Sequence, residues 1–156
     1  MPDSMKLFKE LRPEDTNIEA AISDSQEILY CYMFDEPALN GFSARISIER
    51  DEITSYNIID KKPIKTRRLS EVLDRHLPVS QSIDFLSIDV EGLDYQVLLS
   101  NDWSKYKPKV ILVEELSSSL DYLASSPGEI GSLLRYQGYE LFAKAFNTSF
   151  YRLVSV

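Results

Sequence analysis

The chain has one cysteine, one histidine and five glycines in 156 residues. A lone cysteine, Cys31, cannot form an internal disulfide. Its apolar, aromatic neighbours suit a buried thiol in a reducing compartment. With His76 the sole histidine, no cysteine–histidine metal cluster can be assembled. The glycines stand at 41, 92, 128, 131 and 138, and none sits in a glycine-rich strand-to-helix turn near the start. That excludes a phosphate loop of the usual spacing. No apolar run approaches about 18 residues, so no membrane span is expected. The first residues carry acids and no apolar stretch, unlike a signal peptide, and the expected location is the cytoplasm. Cations are in deficit: 17 Lys and Arg against 25 Asp and Glu give a net charge of −8. Such a balance argues against a nucleic-acid binder. The densest basic run, Lys61, Lys62, Lys65, Arg67 and Arg68, reads as a solvated strand edge.

What is present reads as one domain, residues 1–156, of the α/β class. A helix over residues 4–11 carries Met5, Leu7, Phe8 and Leu11 on one face and ends at Arg12-Pro13. Short strands are expected over Asn17 to Ser23 and Glu27 to Phe34, paired antiparallel or as a bulged continuation. Pro37, Asn40 and Gly41 mark a loop. Residues 43–60 read as irregular with some strand. Ile64 to Leu69 reads as a strand, and Ser70 as the cap of a helix reaching Leu77.

Two short apolar runs follow, each ending in acids: Ile83 to Asp89 and Val110 to Glu114. Between them Leu93, Val97 and Leu98 give a helical face. This is the pattern of a strand–helix–strand unit in a parallel sheet. A short helix is expected over Leu120 to Ser125. Ser126-Pro127-Gly128-Glu129 has the form of a capping box before a helix expected to bury Ile130, Leu133, Leu134 and Tyr136. Glu140 to Ala145 and Phe150 to Val154 read as a closing hairpin.

Ligands of parallel sheets bind beyond the carboxyl ends of the strands. Asp89 and Glu91 stand at such an end. If the extended backbone persists, both point the same way. A converging carboxylate pair can take a proton, hold a hard cation, or accept hydrogen bonds from a sugar or amine. A bland alternative is a pair of solvated acids at the start of the next helix. Glu114 and Glu115 stand at the neighbouring strand end and could line the same crevice. Tyr30, Tyr32 and Phe34 share a strand face that suits core packing. Trp103 and Tyr106 read as packing anchors.

The stretch Ile83-Asp-Phe-Leu-Ser-Ile-Asp-Val-Glu-Gly-Leu-Asp, with Val97-Leu-Leu-Ser-Asn-Asp-Trp and Pro108-Lys-Val-Ile-Leu-Val-Glu, resembles the FkbM family of methyltransferases. Upstream, Leu7-Phe-Lys-Glu-Leu-Arg-Pro, Ala20-Ala-Ile-Ser-Asp and Pro37-Ala-Leu-Asn-Gly-Phe-Ser resemble it in the same order. The resemblance implies a Rossmann-like three-layer sandwich whose seven-stranded sheet ends antiparallel. It implies S-adenosylmethionine as methyl donor and a small-molecule acceptor, usually an oxygen on a sugar or natural product. By position it implies Asp89 and Glu91 as catalytic residues, Ser23 and Asp24 near the adenine, and Asn40 near the acceptor. One departure accompanies it. The family opens with a strand, a glycine-rich turn and a second strand ending in an acid, and this sequence has no such stretch. The expectation is an N-terminally truncated methyltransferase, incomplete or inactive by itself, with bare sheet edges that could pair with another copy. Two alternatives stay open: a non-catalytic α/β interaction module derived from such an enzyme, and a metal-dependent sugar or phosphate transferase using Asp89 and Glu91.

Overall fold

A computed structural model describes residues 5–115 and 128–154. Ser4 and residues 116–127, where the first residue of the first helix, the Leu120–Ser125 helix and the Ser126-Pro127 half of the capping box are expected, lie outside the described residues. The elements, in order, are α1 (Met5–Leu11), β1 (Ala21–Ile22), β2 (Ile28–Phe34), α2 (Ala44–Ile53), β3 (Ile58–Arg67) and α3 (Leu69–His76). After these come β4 (Phe85–Ile88), α4 (Asp94–Leu99), β5 (Val110–Glu114), α5 (Glu129–Tyr136), β6 (Tyr139–Ala145) and β7 (Thr148–Leu153). The chain is mixed α/β with two sheets. One has the order β1-β3-β2 and the other β4-β5-β7-β6.

The larger sheet follows the apolar runs. Strands β4 and β5 are parallel, with Leu86 opposite Ile111 and Ile88 opposite Val113. The crossover between them is α4, which buries Val97 and Leu98. Strand β7 pairs antiparallel with both β5 and β6, so the chain closes in a hairpin as its short link requires. Phe146 takes a positive φ of 51° in that turn. The core gathers Leu69, Ile88, Leu98, Ile111, Val113, Leu134, Tyr139 and Tyr151. Tyr139 donates a hydrogen bond to the Pro108 carbonyl at 2.7 Å. Trp103 meets its ring edge-on at 5.8 Å and donates from its indole nitrogen to the Leu98 carbonyl, as a packing anchor would.

The smaller sheet departs from expectation in three ways. Strand β1 is only two residues long, and it runs parallel to β3 rather than pairing with β2. Strand β2 pairs antiparallel with β3 along its whole length. And within residues 43–60, which read as irregular with some strand, 44–53 form helix α2, while the strand part is the start of β3 at Ile58. Ser43 caps α2, its hydroxyl accepting from the Ile46 amide. The helix escaped its pattern because it has no apolar stripe. Ser47 is its one buried residue, whereas Ile48 and Ile53 are exposed.

Helix α3 starts at Leu69 rather than after Ser70. Its cap comes from elsewhere: the Ser100 hydroxyl accepts from the Leu69 amide, and the Ser100 carbonyl accepts from the Ser70 amide. A distant serine thus satisfies amides that the helix cannot pair within itself. On β2, Phe34 is buried but Tyr30 is half exposed, so the shared face is core only at one end. Lys61 covers the rest, its ammonium 4.5 Å from the Tyr30 ring and 4.9 Å from that of Tyr32. Helix α1 keeps Leu7 and Leu11 exposed, so its apolar face is not buried as a stripe.

Candidate functional site

Strand β4 ends at Ile88, one residue before Asp89. The extended backbone does not persist to Glu91. Glu91 has a φ of +56° and Gly92 one of +96°, so the chain turns sharply there. Alternation therefore no longer decides where these side chains point. Gly92 is required at that turn. Its φ disfavours any side chain, and a Cβ there would stand 2.6 Å from Ile46 Cδ1.

The turn places the two acids differently. Asp89 is exposed. Glu91 is half-buried and bound to Arg50 of α2, whose Nη2 donates to Glu91 Oε2 at 2.6 Å. Arg50 Nη1 also reaches the Leu39 carbonyl at 3.4 Å. A Cβ on Gly41 would lie 3.3 Å from Glu91 Cβ, so the 39–41 loop packs directly on Glu91. Asn40 stands in this loop. Its side-chain oxygen accepts from the Phe34 amide at 2.7 Å, fixing the loop to the end of β2.

Two further acids join. Asp94 opens α4 and is buried, with one oxygen accepting from the Gly92 amide at 3.2 Å. Its other oxygen has no partner among the described residues. Burial drives its carboxyl above the usual carboxylate range, opposed by backbone amides near Gly92 and supported by the charge of Asp89. Glu114, at the end of β5, is raised too. Burial is the main cause, followed by the charges of Asp89, Glu91 and Asp94, with Arg50 opposing. Four carboxylates and one guanidinium thus interact beyond the carboxyl ends of two neighbouring parallel strands. Such a cluster holds a proton at Asp94 and Glu114 more firmly than ordinary acids do. Asp94 and Glu114 line a cleft of about 410 Å³, with Tyr95, Arg45, Glu115 and Glu129. Asp89 and Glu91 are not in its lining. Glu115 accepts from the Tyr151 hydroxyl at 3.0 Å and is tied to the sheet. Among the described residues, no three His, Cys, Asp or Glu side chains are grouped to hold a metal ion.

Ser23 and Asp24 follow β1. Ser23 is buried and its hydroxyl donates to the Asp24 carboxylate at 3.2 Å. Arg68 donates to the Asp24 carbonyl at 2.6 Å.

The model of the methyltransferase FkbM domain matches residues 2–141. The chain belongs to the FkbM methyltransferase family. No curated protein and no solved structure matches it. Within this FkbM chain, the sequence pointed to Asp89, Glu91 and Glu114 through their strand ends. It gave no role to Asp94 or Arg50. For Asp94 the available signal was its place three residues beyond Glu91 in the same motif. For Arg50 there was none, because its partner lies 41 residues away.

Proposed function

We propose that this chain serves S-adenosylmethionine-dependent O-methylation of a sugar or natural-product hydroxyl, and that it supplies the acceptor side of that reaction. The observation that supports this reading is the placing of Asp89, Glu91, Asp94 and Glu114 just past or at the carboxyl ends of β4 and β5 in an FkbM-family chain, with Asp94 and Glu114 lining one cleft. Asp89, exposed at the strand end, takes the proton of the acceptor hydroxyl. Glu91, locked by Arg50, holds the turn and the Asn40 loop in register, so that Asn40 borders the acceptor. Alignment is the main service, since methyl transfer gains most from holding the reacting atoms in line.

The donor supplies the methyl group on a sulfonium. Its adenine amine suits the Asp24 carboxylate, with Ser23 fixing that carboxylate in place. Its amino-acid end needs a backbone cradle, and the glycines nearest the acids make room for protein instead: Gly41 for Glu91 and Gly92 for Ile46. The fit is therefore confined to the adenine end. We infer that this chain alone holds the donor weakly.

Calorimetric titration with S-adenosylmethionine tests this, on the chain alone and on a fusion with a family member's glycine-rich strand pair. Weak heat alone and micromolar binding in the fusion are expected. No binding in the fusion would sink the donor assignment, and micromolar binding to the chain alone would sink the partial fit.

A second reading, a non-catalytic interaction module, is favoured by one observation. Among the described residues the outer edge of β4 pairs with no strand, and Phe85 is 66% exposed there. Light scattering that finds a dimer lost on Phe85→Lys would support it; a monomer would remove it.

A further inference from the structure

Five buried side-chain polar atoms have no partner among the described residues, and two of them are carboxylate oxygens, Asp94 Oδ1 and Glu114 Oε2. Both residues line the cleft of about 410 Å³ between the start of α2, the turn before α4, the end of β5 and the start of α5. Asp94 is only 4% exposed, so it belongs to the floor of that cleft. A buried carboxylate oxygen left bare is costly, and nothing in the packing explains two at one place. The charge around them has one sign. Glu115 and Glu129 add to Asp94 and Glu114, and Arg45 is the one cation in the described lining. The Arg45 side chain is 81% exposed and leans on Glu49, one turn along its own helix. Arg50 is held by Glu91 and lies outside the lining. Tyr95, Ile46 and Ile130 supply apolar surface.

We propose that this cleft binds the protonated amine of a small hydroxylated molecule, an amino sugar or amino alcohol, with the ammonium donating to Asp94 and Glu114 and the carbon skeleton against Tyr95 and Ile130. An ammonium has three donors and no acceptor, which is what two bare carboxylate oxygens require. A neutral hydroxyl could fill one of them but would leave the charge of the four acids unbalanced. Burial first, and then the charge of neighbouring acids, holds both carboxyls above the usual range, and a cation between them relieves that repulsion. The grouping does not suit a metal ion, because no three ligating side chains converge among the described residues. The inference rests on the acceptor-side reading in one respect: the bearer of the amine is the molecule whose hydroxyl is methylated.

Calorimetric titration of the chain with glucamine and with sorbitol tests this at neutral pH, where an alkyl amine is charged. The two probes differ only in an ammonium for a hydroxyl. Glucamine should bind about tenfold tighter, the gain expected of one charge-assisted contact. Asp94→Asn/Glu114→Gln should bring glucamine down to the level of sorbitol, with the fold checked by circular dichroism. Arg45→Gln, at an exposed position, should tighten glucamine binding about twofold and leave sorbitol unchanged. Equal binding of glucamine and sorbitol, no binding of either, or unchanged glucamine binding in either variant would each overturn the site. So would displacement of glucamine by S-adenosylmethionine, which would assign the cleft to the amino-acid end of the donor. The two probe titrations contain no donor, so their failure leaves methyl transfer standing, and a fusion that fails to bind the donor leaves the cleft standing.

Discussion

Arg50 Nη2 lies 2.6 Å from Glu91 Oε2, and this pair joins α2 to the turn that follows β4. Both side chains are about three-quarters buried, at 24% and 25% exposure. Removing one partner leaves the other partly desolvated and uncompensated. Arg50→Ala should therefore destabilise the chain by about 1–3 kcal/mol. A double-mutant cycle with Glu91→Ala, followed by urea unfolding, measures the coupling. Additive losses would show that the two charges stabilise separately.

Glu91 is also strained by its φ of +56°. A side chain in that region costs about 1–2 kcal/mol that glycine does not bear. Glu91→Gly should thus be about 1 kcal/mol less damaging than Glu91→Ala, although both lose the ion pair. Equal unfolding midpoints for the two variants would contradict the strain.

The central unit was legible in the sequence because its residues obey one rule at every level. Ile88, Ile111 and Val113 form continuous apolar runs, Val97 and Leu98 give the crossover its buried face, and all of them meet in one core. Helix α2 was not legible because only Ile46 of its three isoleucines packs inward, on Gly92, while Ile48 and Ile53 are exposed. Its remaining signals were the Ser43 cap and the Arg45–Glu49 pair one turn apart. The pairing of β1 with β3 was equally hidden. Two residues of strand carry too little pattern to choose between neighbours. The acids at the strand ends could be found from topology, but the partner of Glu91 and the burial of Asp94 depend on contacts across the fold.

Asp94, buried, and Glu114, partly buried, set a pH dependence. Asp94 and Glu114 both have carboxyls raised in the folded chain. A raised folded pKa means the folded state holds the proton better than the unfolded one. The stabilisation is full below the ordinary carboxyl range and is lost as pH rises through the folded values. Asp74 and Asp102 are shifted the opposite way but lie at the solvent-screened surface, so they oppose this only weakly. Urea midpoints should fall as pH rises from mildly acidic toward neutral. Asp94→Asn combined with Glu114→Gln should flatten that slope and raise stability at neutral pH. A slope unchanged in the double variant would place its origin elsewhere.

Tyr139 offers a cleaner stability test away from the acids. Its hydroxyl is the buried donor to the Pro108 carbonyl, and burial pushes its pKa well above the ordinary tyrosine value. Tyr139→Phe keeps the ring against Trp103 but leaves that carbonyl without its donor. The expected loss is about 1–2 kcal/mol in urea unfolding, with Trp103 fluorescence retained. No loss would show that water reaches the carbonyl.

Asp89 should separate chemistry from stability. It is exposed and makes no hydrogen bond among the described residues, so Asp89→Asn should leave the unfolding midpoint within about 0.5 kcal/mol of the parent. If Asp89 takes the acceptor proton, the same change in a donor-binding fusion should lower the methyl-transfer rate by about 10²–10⁴ without weakening donor binding. Loss of donor affinity in step with rate would instead make Asp89 a donor contact. An unchanged rate would remove it from the chemistry and leave Glu114, which lines the cleft with Asp94, to be tested by Glu114→Gln in the same fusion.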